Sequence, residues 1–233
     1  MASENPDYES LQVAIADAGL TLRGGFALQD GEEPKPARTI VMIGNCGPQM
    51  WPAFEAGRRN EAEPLDGWTR RVVDTVAARF GADAVYPSDR PYHPFQRWAQ
   101  RAEPVHASPL GILIHPQWGL WHAYRAALLF AGPVAGLPVR AERPSPCASC
   151  AGKPCLTACP VSAFDGTRYD VAACGAHLLA GNRPLCASIG CRARDACPVA
   201  PEMRYSEAQI RFHMAAFVRS RGADLGALSD GEW

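Results

Sequence analysis

Cys147-Ala-Ser-Cys150-Ala-Gly-Lys-Pro-Cys155-Leu-Thr-Ala-Cys159-Pro160 is the stretch on which the reading of this chain turns. A lone Cys174 follows, and then Cys186-Ala-Ser-Ile-Gly-Cys191-Arg-Ala-Arg-Asp-Ala-Cys197-Pro198 closes the run. A cubane [4Fe–4S] cluster needs four thiolates converging from several directions. Short loops supply two or three of them and a distant cysteine closes the cage. In two-cluster ferredoxins the cysteine before proline at the end of each run ligates the other cluster. On that rule cluster I takes Cys147, Cys150, Cys155 and Cys197, and cluster II takes Cys159, Cys174, Cys186 and Cys191. Two zinc sites of four thiolates each would consume the same cysteines, and disulfides are a third use. The paired Cys-Pro endings and interleaved order favour clusters. The spacings are wider than the tight ferredoxin pattern, which bears on the fourth-ligand exchange more than on the cluster count.

Outward from this run the chain is poor in cysteine. Of nine cysteines in 233 residues only Cys46 precedes Cys147. A free cysteine just after an apolar strand is ordinarily a small buried hydrophobe, so Cys46 is expected to be no ligand. The linker Val139-Arg-Ala-Glu-Arg-Pro-Ser-Pro146 marks a boundary. The expected division is 1–143 for an α/β domain, 144–203 for a two-cluster domain, and 204–233 for a C-terminal helix and tail. The first can bury a core of its own, whereas the second is short of large apolar side chains and needs metal to fold.

Composition excludes some classes of function. Net charge is -1, and Lys35 and Lys153 are the only lysines among 23 Lys and Arg. That balance gives no general attraction to nucleic acid or anionic lipid. The start, Met1 to Ser10, has no basic or apolar leader pattern. The longest apolar run, Ala126 to Val139, is broken by Gly132, Pro133, Gly136 and Pro138. A soluble, cytoplasmic protein is expected, and in that compartment clustered cysteines serve as metal ligands more than disulfides.

Periodicity predicts a helix from Tyr8 to Ala18 and strands at Leu22–Leu28 and Ile40–Ile43, the second followed by a turn through Gly44 to Gly47. Asp66 is expected to cap a helix over 67–80, stopped at Gly81. Further strands are expected at Ala84–Tyr86, Leu110–Ile114 and Tyr124–Phe130, and a helix at Phe95–Ala102. Strands alternating with helices argue for an α/β or α+β sandwich.

The cysteine order resembles the ferredoxin-like module of epoxyqueuosine reductases, including the lone cysteine after the turn Asp165 to Asp170. A second resemblance is to the CblC-type cobalamin-processing family. Ile114-His-Pro-Gln-Trp-Gly-Leu-Trp-His-Ala-Tyr-Arg125 is similar to that family's signature at His115, Pro116, Gly119, Trp121, Ala123 and Arg125. Gln96 with Ala99 stands where the family has a corrinoid-contacting Gln-x2-Ala. Arg204-Tyr-Ser-Glu-Ala-Gln209 resembles the segment before its last helix. The resemblance implies an α+β class: a flavin-reductase- or nitroreductase-like α/β sandwich with an inserted bacterial-ferredoxin-like module. It further implies that Gln96, Leu113, His115, Tyr124 and Arg125 contact a corrinoid, with Arg125 at the position of an arginine that engages glutathione in thiol-using members. The Gly-Lys-Asn of epoxyqueuosine reductases is replaced by Tyr124-Arg125-Ala126, and no catalytic acid has a counterpart.

Read without any family, His115, Trp118, Trp121 and His122 are equally an aromatic core plug. The expected function is a corrinoid-binding iron–sulfur reductase that removes the upper axial ligand of cobalamin. Its partners would be an external electron donor (ferredoxin, flavodoxin or reductase) and the corrinoid, with no membrane and no nucleic acid. The alternatives are an epoxyqueuosine-reductase-like enzyme and a dicluster electron carrier. No catalytic residue is assigned.

Overall fold

The computed structural model describes residues 6–180 and 185–220. In chain order it begins with α1 (Tyr8–Asp17), β1 (Thr21–Ala27), β2 (Thr39–Cys46), α2 (Trp51–Gly57), α3 (Pro64–Phe80), β3 (Asp83–Val85) and α4 (Phe95–Ala102). Three strands follow: β4 (His106–Ala107), β5 (Leu113–Ile114) and β6 (His122–Phe130). The remainder is short helices, α5 (Pro154–Thr157), α6 (Val171–Leu178), α7 (Leu185–Ile189) and α8 (Arg192–Asp195), and then the longer α9 (Glu207–Ser220). Of the described residues, 6–105 with 122–144 form one compact unit, and 106–121 with 145–220 form another. The linker at 139–146 thus coincides with a change of unit, and the second unit also takes 106–121 from upstream. The expected tail from residue 221 lies outside the described residues.

The first unit is a mixed α+β body on a four-stranded antiparallel sheet of order β1-β2-β6-β3. β2 is central, and every one of its residues is buried. Ile40 and Met42 meet Phe95, Trp98 and Ala102 of α4 in one apolar cluster. Side chains alternate along a strand, so Val41 and Ile43, both fully buried, face the other way. α1 and α3 pack on one another and on β1, β3 and β6. Two covered faces explain why β2 reads as a continuous apolar run.

Local chemistry sets the boundaries, and some differ from expectation. α3 starts three residues before Gly67, because Pro64 occupies its first turn and its ring presets the helical φ. Asp66 therefore lies inside the first turn and is not the cap. α1 is capped by Asp7, whose carboxylate accepts from Ser10 N at 2.9 Å. β2 does not turn at Gly44 but runs on through Cys46, pairing Gly44, Asn45 and Cys46 with Tyr124, Ala123 and His122. A bulge between Ile43 and Gly44 absorbs the irregularity. β6 accordingly begins at His122, two residues early.

The second unit contains the two-stranded β4–β5 sheet and all the later helices. The expected strand Leu110–Ile114 shrinks to Leu113–Ile114, because Ser108 to Gly111 forms a turn closed by Gly111 N on Ser108 O at 3.0 Å. The core of this unit gathers Leu110, Ile114, Leu120, Phe164 and Ala193 around cysteine side chains. Phe164 stacks on Tyr169 at 4.6 Å between centroids. Such a core is small for its length.

Candidate functional site

All nine cysteines are free of disulfides. Their electrostatic neighbours sort into sets. Burial pushes the Cys147 thiol up, and the sulfurs of Cys197, Cys155 and Cys150 push it further. Cys155 rises through burial and then Cys150, and Cys197 through burial and then Cys155 and Cys150. Cys191 rises through burial and then Cys174 and Cys186. Cys174 and Cys186 also share an apolar cluster with Leu178 and Val218. Among the described residues no three His, Cys, Asp or Glu side chains are grouped as ligands of a single ion.

The backbone around these sulfurs donates to them. Cys191 precedes α8, and the backbone of Arg194 and Ala193 pulls its thiol down, less than burial pushes it up. Ala163 N lies 3.3 Å from the Cys159 sulfur. The backbone at Val199 pulls the Cys197 thiol down, and that at Cys155 and Leu156 the Cys155 thiol, in each case less than burial pushes it up. Donors aimed at sulfur favour the thiolate over the thiol. Lys153 adds a cation, its Nζ 3.1 Å from the Cys147 carbonyl. The eight cysteines from Cys147 to Cys197 are the residues that could hold iron–sulfur cubanes.

The first unit holds a buried polar network that the sequence did not announce. Arg23 has no exposed surface and pairs with Glu103. Its Nε donates to Glu103 Oε2 at 3.2 Å and its Nη1 to the Asn45 carbonyl at 3.2 Å. Nη2 stands 3.2 Å from His122 Nδ1, and the guanidinium carbon lies 4.7 Å from the Tyr124 ring centre. Tyr124 Oη donates to Glu103. Burial opposes the charge on Arg23, but Glu103, Tyr124 and Cys46 outweigh it. Burial likewise raises the Glu103 carboxyl, with Arg23 and Tyr124 pulling against it. The Cys46 thiol, nearly enclosed, is pushed up by burial to about 11.

The residues expected at a corrinoid site are distributed over both units. Tyr124 and Arg125 line one cleft of about 110 Å³ with Asp66, Thr69, Arg70 and Ser88. Arg125 Nε also donates to Asn45 Oδ1 at 3.2 Å. Gln96 is on the exposed side of α4, next to the sheet-facing Phe95. Leu113 and His115 belong to the second unit, where His115 stacks on Trp118 at 4.0 Å and its Nδ1 accepts from Gln117 N at 3.0 Å. The cleft is well below the roughly 300 Å³ at which pockets for drug-sized ligands begin.

Sequence reasoning missed Arg23 and Glu103. The one signal was an arginine beside two glycines inside an apolar strand, followed far downstream by an acid closing a helix. Gly24 is needed there, since a Cβ would meet the Ala102 carbonyl one residue before Glu103.

No protein-family model matches the sequence, and no curated protein matches it. Solved structures do. The crystal structure of a C. elegans B12-trafficking protein CblC matches with a TM-score of 0.53 at 14% identity, over 88% of this chain and 91% of that one. An epoxyqueuosine reductase with a tRNA-Tyr epoxyqueuosine-modified stem loop matches with a TM-score of 0.48 at 17% identity, over 87% of this chain and 69% of that one. The Bacillus subtilis epoxyqueuosine reductase gives 0.45 at 16%, over 87% and 70%. The first of these likenesses shows a shared fold.

Proposed function

We propose that this chain is a corrinoid-binding reductase carrying two [4Fe–4S] clusters, with residues 144–203 as a ferredoxin-like module. The observation that carries the cluster reading is the order of the eight cysteines from Cys147 to Cys197; in support, the sulfurs of Cys197, Cys155 and Cys150 raise the Cys147 thiol, and those of Cys174 and Cys186 raise the Cys191 thiol. These neighbours fall within the sets proposed for cluster I and for cluster II, and Cys159 is proposed to complete the second. A cubane's thiolates sit on separate irons, so they need not approach one point as zinc ligands do at about 2.3 Å from a single ion.

Bound clusters supply one-electron transfer, and a bound corrinoid supplies a cobalt that changes oxidation state. The chain's own part is to hold the thiolates, turn amides toward them and keep water from Cys155 and Cys186, both of which are buried. The corrinoid reading rests on the signature from Ile114 to Arg125, and the shared fold with the B12-trafficking protein supports it. Gln96, Leu113, His115, Tyr124 and Arg125 are its proposed contacts. None of His93, His106, His115 or His122 lies in an Asp-x-His-x-x-Gly setting, so no protein histidine is assigned to cobalt.

The test is the visible and EPR spectrum of cob(II)alamin added to the protein. Binding with loss of the lower base is expected, and Gln96→Trp is expected to abolish it without changing the iron content. Cob(II)alamin that stays base-on and unbound at micromolar protein contradicts the corrinoid reading and leaves a dicluster electron carrier.

A further inference from the structure

Successive side chains of a strand point to opposite faces of the sheet. Tyr124 and Arg125 nevertheless both line the cleft that Thr69, Arg70 and Ser88 share. The register accounts for this. Pairing of β2 with β6 passes from Ile43 opposite Ala126 to Gly44 opposite Tyr124, so Arg125 is the extra residue of the bulge. A bulge re-aims a side chain out of the alternation of its strand. β1 is irregular on the other side of β2, where pairing passes from Leu22 opposite Ile43 to Gly25 opposite Val41 and takes in Arg23. Two arginines therefore leave the regular ladder at neighbouring positions along β2.

Asn45 touches both of them and is 1% exposed. Its main-chain carbonyl accepts from Arg23 Nη1 and its side-chain Oδ1 accepts from Arg125 Nε, each at 3.2 Å. An arginine Nε–H only donates, so the Asn45 amide is turned with its oxygen toward Arg125. Asn45 is itself held twice over, by its pairing opposite Ala123 and by Arg23, whose Nε is bound to Glu103 at 3.2 Å. Arginine is a long side chain with much rotamer freedom to lose, and a buried acceptor at its Nε fixes most of the chain before any ligand arrives. Arg70, the other arginine of the cleft, is tied in its own way, to Asp89 at 2.5 Å and over the Tyr86 ring at 4.1 Å.

We infer that Asn45 is a positioning residue for Arg125: it holds in one orientation a side chain that the bulge turns into the cleft. This rests on the corrinoid reading above, in which Arg125 is a contact. The benefit is preorganisation. A contact residue that is already oriented gives up less entropy on binding, so the cost of ordering it falls on folding and not on the ligand. Asn45 need not touch the ligand for this; at 1% exposure it acts through Arg125.

The test is a double-mutant cycle read by cob(II)alamin binding to the full chain, with the unfolding midpoint as the control for folding. Asn45→Ala removes the acceptor at Arg125 and leaves the main-chain carbonyl that Arg23 uses. It is expected to raise Kd about tenfold, the order of one lost hydrogen bond to a charged group. Asn45→Leu, close to asparagine in shape, removes the same acceptor with the packing kept and should do the same. In an Arg125→Ala background neither change should weaken binding further, because the residue that Asn45 positions is gone. Losses that simply multiply with that of Arg125→Ala overturn the inference and make Asn45 a general support of the fold. So does wild-type affinity in both Asn45 variants, or in Arg125→Ala. Wild-type protein that leaves cob(II)alamin base-on and unbound overturns the corrinoid reading itself, and the inference with it.

Discussion

Arg23 and Glu103 show what a fully enclosed charge demands of its surroundings. The pair is backed by Tyr124, Asn45 and His122, so every part of the guanidinium fork meets an acceptor or a ring. Removing one member leaves the other buried and uncompensated, which costs about 3–5 kcal/mol. Glu103→Gln should lower the unfolding free energy of the first unit by that order, while Tyr124→Phe should cost about 1–2 kcal/mol. A larger effect from Tyr124→Phe than from Glu103→Gln in chemical denaturation would contradict this ranking. Cys46 offers a pH signature. Its thiol is raised in the folded protein, so its contribution to stability is present below the ordinary value of 9.0 and is lost as pH rises toward about 11. Unfolding free energy should fall by about 2–3 kcal/mol over that interval, and Cys46→Ala should flatten the slope while leaving iron content unchanged. Loss of iron in that variant would make Cys46 a ligand.

At the scale of elements, close approaches explain which boundaries could be read from sequence. Asp7 and Asp170 carry local signals, each accepting from the backbone three residues on, at 2.9 Å. α6, which Asp170 caps, bears Cys174, so Asp170→Ala should cost about 1 kcal/mol in the second unit. The start of α3 was misread because an acid followed by an apolar stripe outshone Pro64. The length of β2 was misread because Gly44 suggests a turn in isolation. In the fold it is required by the adjacent strand: a Cβ there would strike the Ala123 carbonyl of β6. Gly119 is a comparable case in the second unit. It has φ +56°, and a Cβ would run into the Val199 carbonyl, two residues past Cys197. Gly119→Ala should therefore displace the Cys197 segment and lower the iron content of the purified protein by up to half. Full iron retention would show that the segment can give way.

For the molecule as a whole, legibility followed locality. The cysteine runs, the apolar centre of β2 and the periodicity of α1 are short-range patterns, and each could be recognised from neighbours in sequence. The Arg23–Glu103 pair spans 80 positions and the Arg194–Leu120 bond 74, so nothing local signals either. The same holds for the assignment of 106–121 to the second unit, which is a matter of contacts and not of composition. Among the described residues no helix is long and apolar enough to cross a membrane. The second unit packs its few large apolar side chains around sulfur, so its stability should depend on what those sulfurs hold. Replacing any one of the eight with serine should therefore cost both metal and resistance to unfolding. The most direct test of the central claim is the iron, acid-labile sulfide and zinc content of the full chain prepared without oxygen. Two cubanes require about eight Fe and eight sulfide per chain in a brown protein. A colourless protein with about two Zn and no sulfide would contradict the claim.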